Sequence, residues 1–180
     1  MIDIQRLGEI ISLCETVDRE FKSDRNREFT DKEIYEEVVA MANAEGGVLL
    51  IGLEDDGTIT GARPRHGTST DANRLKSKIF NNTRPNINTR ISLIPHDQGS
   101  VIAIEVDSYP DVCATASGKV LHRIIGPDGK PATVPMYPHD QRSRRVDLGL
   151  LDFSAQPMDS ASFEDFDPLA FERVRFERVR

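Results

Sequence analysis

The side chains of this 180-residue chain that could do chemistry are mostly cationic and fall in its middle. Arg74, Lys76 and Lys78 recur along one segment. Arg84 and Arg90 follow it, Arg123 comes later, and Arg142, Arg144 and Arg145 crowd a short stretch before residue 150. A guanidinium presents parallel N–H donors that match two phosphate oxygens, so arginines in this number point to a polyanion. Arg74 and Lys78 are four residues apart and share a helix face, with Lys76 pointing elsewhere. A solvated helix face would place them in the same way, and the pattern alone leaves both readings open. Other chemistries find less support. His66, His96, His122 and His139 have no metal-ligand spacing. Cys14 and Cys113 are far apart, which excludes a disulfide scaffold and a four-cysteine zinc site. Gly126-Pro-Asp-Gly-Lys130 is not the Gly-x4-Gly-Lys-Ser/Thr pattern, so the chain carries no phosphate-binding loop. Aromatic residues make up 6% of the chain, too few to predict a platform of rings for base stacking.

The elements that must position these groups follow from periodicity and capping. Ile4, Leu7, Ile11 and Cys14 predict a short amphipathic helix over 4–14. Val17 and Phe21 alternate with charged residues and predict a strand over 16–22, with Glu20 facing away from both. Thr30-Asp-Lys-Glu33 is a capping box that opens a helix over 31–44, and Gly46-Gly47 is expected to end it. Val48–Leu53 is an apolar run suited to a strand covered on both faces, followed by an Asp-Gly hairpin and a returning strand over 58–61. A helix over 71–81, strands over 87–94, 101–107 and 120–125, and a basic helix over 138–148 complete the reading. Residues 126–131 read as turn material, and Pro135 and Pro138 leave the start of the last helix unsettled.

Charge divides the chain. Residues 1–60 carry net −9, residues 61–150 net +5 and residues 151–180 net −3, which gives the overall −7. A basic lobe inside an acidic chain keeps a phosphate ligand possible, because the local field matters more than the net charge. Residues 1–150 are expected to form the domain. Residues 151–180 are expected to form an acidic linker or tail, ending in a duplicated Phe-Glu-Arg-Val-Arg. No apolar stretch reaches the roughly 20 residues of a membrane span, and the N-terminus has no signal-peptide pattern. A cytoplasmic, reducing compartment and no membrane partner are therefore expected.

Three pieces stand in order: Glu15-Thr-Val-Asp-Arg-Glu20-Phe21-Lys22, then Ala40-Met-Ala-Asn43-Ala-Glu-Gly46-Gly47, then Leu50-Ile-Gly52-Leu-Glu-Asp55-Asp56-Gly57-Thr-Ile-Thr-Gly61. Together they resemble the Schlafen AlbA-type domain, also called the divergent AAA domain. Weaker echoes continue through Arg84-Pro85-Asn-Ile87 and Gly118-Lys-Val-Leu-His-Arg123, so the resemblance spans roughly residues 8–145. It implies an α/β fold with a mixed β-sheet flanked by helices. It also implies an N-terminal nucleic-acid-binding module of bacterial transcriptional-regulator or helicase-like proteins, with an ATP-binding domain often following. In related Schlafen proteins that cleave RNA, three acids do the work, and these map onto Glu15, Glu20 and Asp55. Such a trio would suit Mg²⁺ or Mn²⁺, whose bound water could attack a phosphodiester. Lys22 would then touch phosphate or neutralise the acids.

The expected function is nucleic-acid binding, DNA first, through Lys22, Arg74, Lys78, Arg84, Arg90, Arg123, Arg142, Arg144 and Arg145. Two alternatives are a metal-dependent endoribonuclease built on Glu15, Glu20 and Asp55, and a dimerisation domain that makes a homodimer of a larger ATP-binding protein. If about four cations met duplex DNA, log K would fall with a slope near about −3.6 against log salt.

Overall fold

Local rules start each element of the computed structural model, which describes residues 2–13, 15–152 and 162. Asp3 caps the helix α1 (Ile4–Ser12), its carboxylate accepting from the Arg6 amide at 2.9 Å. After strand β1 (Arg19–Lys22), the capping box predicted at Thr30 opens helix α2 (Asp31–Ala42). Glu33 accepts from the Thr30 amide at 2.8 Å, and Thr30 Oγ1 accepts from the Glu33 amide at 3.3 Å. Strand β2 (Gly46–Ile51) follows directly. Asp71 caps helix α3 (Ala72–Asn81), accepting from the Asn73 and Arg74 amides. Strands β3 (Thr83–Arg84), β4 (Thr89–Ile94), β5 (Val101–Asp107), β6 (Ala114–Thr115), β7 (Leu121–Ile125) and β8 (Pro131–Pro135) lead to helix α4 (Pro138–Asp147).

The main sheet has the order β1-β2-β5-β4, with β1 parallel to β2 and the other pairs antiparallel. Its two faces bury different helices. Leu49 and Ile51 of β2, with Ile102 and Ile104 of β5, pack on Ile34, Val38 and Met41 of α2 and on Leu75 and Ile79 of α3. The alternate residues Leu50 and Ala103 join Phe21, Leu7 and Ile10 under α1. The apolar run of β2 is therefore covered on both sides, as its composition requires. The pairs β3–β6 and β7–β8 are small separate ribbons. The chain divides into two units at Leu150, and every element above lies in the first. Cys14 and the duplication over 171–180 lie outside the described residues. Among the described residues no helix is long and apolar enough to cross a membrane.

Three local expectations differ from the structure. Residues 58–61 do not ladder as a strand. Only Leu53 and Ile59 form a bridge, because the Thr60 and Gly61 amides both turn onto the single Gly52 carbonyl at 2.9 and 3.0 Å. Helix α2 ends on Asn43 in a negative-φ conformation, and Gly46 and Gly47 begin β2 instead. There the backbones crowd: a Cβ on Gly47 would lie 2.2 Å from the Asp18 carbonyl oxygen, and one on Gly46 2.6 Å from that of Val106. Strand β8 was hidden by its two prolines, which a two-stranded ribbon tolerates at strand ends. Pro138 sits in the first turn of α4, where its missing N–H has no partner to lose.

Candidate functional site

Register brings the acidic residues together. Glu20 pairs with Leu49 and Lys22 with Ile51 across the β1–β2 ladder, so both side chains emerge on the α2 face of the sheet. There they meet Glu37 of α2 and Arg123 of β7. Arg123 is 4% exposed. One of its nitrogens lies 2.5 Å from Glu20 Oε2 and another 3.4 Å from Glu37 Oε2. Its remaining donors reach the carbonyls of Val17 at 2.9 Å and Thr16 at 3.1 Å. Lys22 Nζ holds the other Glu20 oxygen and lies 4.0 Å from Glu37, whose carboxylate also accepts from Thr133 Oγ1 at 2.7 Å. Two carboxylates and two cations thus share a nearly dry space with almost every donor used.

Glu15 borders this network from the loop before β1, accepting from the Phe21 amide at 2.8 Å. Burial pushes its carboxyl above the usual range against that bond, and repulsion from Glu20 and then Asp55 adds to the rise. Burial likewise raises Glu37, with Lys22, Thr133 and Arg123 opposing it only in part. For Lys22, burial opposes the charge, but Glu20, by charge and hydrogen bond, with Glu37 and Glu15, outweighs it and raises the pKa. Asp55 sits exposed on the 54–57 turn. Glu15 is therefore the acid that feels both Glu20 and Asp55. As placed the three acids do not fit a divalent cation. Both oxygens of Glu20 are taken by Lys22 and Arg123, and among the described residues no group of three His, Cys, Asp or Glu could hold a metal.

The cations fall into two sets. Arg90 makes a two-point contact with Asp107 at 2.6 and 2.9 Å, Arg145 pairs with Asp111 at 2.8 Å, and Arg123 is buried as described. Arg144 spans the C-terminus of α2, donating to the carbonyls of Ala42 at 3.1 Å and Tyr109 at 2.8 Å, where the helix dipole favours a positive charge. Lys78 is paired with Asp31 at 2.6 Å, and Arg142 is exposed on α4. Arg74 and Lys76 are exposed on α3 and make no ion pair with an acid among the described residues. Among the described residues Arg84 donates to the carbonyls of Asn81 and Thr83 and meets no acid.

Sequence reading did not single out two of the residues that hold the site. Glu37 is one acid among several on α2, and only the fold shows which of them faces β1. Asn43, within the quoted Ala-Asn-x-x-Gly-Gly, latches β7 and the β6 approach to α2. Its amide donates to the Cys113 and Leu121 carbonyls at 2.7 and 2.8 Å and accepts from the Cys113 amide at 2.8 Å.

A four-stranded mixed sheet between helices, with a buried ion network at the edge strand carrying Glu-Phe-Lys, defines the class of α/β domain. The sequence pattern of the Schlafen, AlbA_2 family matches residues 15–131, and the chain belongs to that family. No curated protein matches it. The DIP2311 protein from Corynebacterium diphtheriae superposes with a TM-score of 0.61 at 20% identity, covering 96% of this chain and 37% of that one. The chain thus spans little more than a third of that structure's length. The N-terminal domain of a protein from Nitrosomonas europaea, described as a RecG-related candidate ATP-dependent DNA helicase, aligns over 57% of this chain and 70% of its own. Its TM-score is 0.36 and its identity 19%.

Proposed function

We propose that this domain binds nucleic acid, chiefly through phosphates, as a module of a larger regulator-like protein. The supporting observation is the surface of α3 and the turn after it. Among the described residues, Arg74, Lys76 and Arg84 stand there without acidic partners. Residues 72–96 contain five Arg or Lys and no acid, although 30 of the 180 residues are acidic, a frequency that would place about four in a stretch this long. A locally positive field on an acidic chain attracts a polyanion at close range while remote acids are screened. The cations that serve the fold, Arg90, Arg123, Arg144 and Arg145, are not part of this surface chemistry. With three unneutralised cations as phosphate contacts, log K for duplex DNA is expected to fall with a slope of about −2.7 against log salt. Affinity that is flat in salt, or absent at low salt, would overturn the reading. A homodimer is a separate proposal, supported by β4, an edge of the main sheet among the described residues; the mass in solution decides it.

A further inference from the structure

The same surface carries an aromatic ring. Phe80 lies on the solvent side of α3 and keeps 37% of its area exposed, while Leu75 and Ile79 of the same helix are fully buried. Lys76 stands one turn before it on the same face. Arg84 folds onto the carbonyl of the adjacent Asn81 at 3.0 Å, and the amide of Asn86 donates to the Phe80 carbonyl at 2.6 Å, so the turn after α3 is fastened beside the ring. Five asparagines, Asn73, Asn81, Asn82, Asn86 and Asn88, lie in this acid-free stretch. Asn73, Asn81 and Asn88 are exposed.

We infer that this surface takes single-stranded nucleic acid, with a base stacked on Phe80 and flanking phosphates on Lys76 and Arg84. The inference rests on the nucleic-acid reading above and adds the strand class. The surface and a single strand are complementary. A duplex offers a charged backbone and hides the faces of its bases, so it has nothing to lay on an exposed ring. A single strand presents both, and an aromatic side chain beside cations matches that pair of features. Exposed amides supply donors and acceptors for base edges that a duplex keeps paired.

The test compares a fluorescent 12-nucleotide single strand with the same sequence as duplex, by anisotropy at low salt, for the wild type, Phe80→Ala and Phe80→Tyr. The single strand is expected to bind more tightly than the duplex. Phe80→Ala is expected to weaken it at least about fivefold with the salt slope unchanged, since stacking carries no counterion release. Phe80→Tyr keeps a ring and should retain the affinity. Phe80 packs most of its area, so Phe80→Ala is expected to lower the melting temperature by about 3–6 °C and Phe80→Tyr by no more than about 2 °C, with both variants folded at the assay temperature. Equal binding of both strand forms, or no loss in Phe80→Ala, overturns the inference while leaving phosphate binding in place. No binding of either form by the wild type overturns both.

Discussion

Replacing Arg123 by Met removes one guanidinium and leaves two carboxylates to answer for it. The methionine fills most of the volume, so the loss is electrostatic. Arg123 contacts Glu20 and Glu37 and two carbonyls, and its side chain is 1% exposed. Breaking a buried ion pair from one side typically costs about 3–5 kcal/mol, since the remaining charge stays in a dry environment. Lys22 still faces Glu20, which places the expected cost at the lower end, about 3 kcal/mol. For a domain of this size that lowers Tm by roughly 10 °C. The sign of the pH dependence follows. Without the guanidinium, the Glu37 carboxyl, already raised by burial, loses one of the groups that hold it down and moves up further in the folded state. A carboxyl raised on folding contributes stability that is present below its unfolded pKa and lost as pH rises through its folded one. The deficit of Arg123→Met should therefore be small near pH 4 and grow toward pH 7. Denaturant melts at both pH values measure it. The double variant Arg123→Met/Glu37→Gln should recover part of the loss at neutral pH by removing one of the stranded charges. A deficit under about 1 kcal/mol at pH 7, or one that does not change with pH, would refute the reasoning that this network is dry and mutually neutralising.

Further outcomes follow from the other local features. Gly47→Ala should fail to fold or lose more than about 4 kcal/mol, because its Cβ would meet the Asp18 carbonyl at 2.2 Å, whereas Gly118→Ala, at φ +86 with nothing within 4 Å, should cost only about 1 kcal/mol in the same melts. Asn43→Ala unpairs the buried Cys113 amide and two carbonyls and should cost about 2–3 kcal/mol in chemical denaturation. Thr30→Ala removes the α2 cap and should cost about 1 kcal/mol. Glu33 in that capping box is held down to about 2, first by the Arg27 hydrogen bond, so its contribution should be present above its ordinary 4.5 and fade as pH falls toward 2, as read by carboxyl chemical shifts.

Much of this architecture was legible in the residues because each element announces itself locally. The Thr30–Glu33 box, the apolar run of β2 and the spacing of Leu75 and Ile79 specify structure within one turn or one strand. The family motifs named Glu15, Glu20 and Asp55, and in the structure burial first, then repulsion from the other two, raises the Glu15 carboxyl. What stayed hidden depends on long-range geometry. That Arg123 would serve as the buried counter-ion of Glu20, 103 residues earlier, follows only once β7 crosses α2. Arg90, Arg144 and Arg145 read as phosphate ligands by type, yet Asp107, carbonyls at the end of α2 and Asp111 occupy them, and none of those partners lies close in sequence. The prolines of β8 masked a strand because an edge ribbon tolerates them. The exposure of Phe80 was also not predictable, since an apolar residue beside Ile79 reads as core until the helix is rotated against the sheet.

The surface carrying Arg74, Lys76 and Arg84, rather than the ion-paired arginines, is the proposed seat of nucleic-acid attraction. Its most direct measurement is the salt dependence of DNA binding for the wild type and for the triple variant Arg74→Gln/Lys76→Gln/Arg84→Gln. The wild type should show a slope of about −2.7, and the variant should lose nearly all of it while keeping its melting temperature. A variant that binds with the wild-type slope would contradict the account and move the interface elsewhere on the domain.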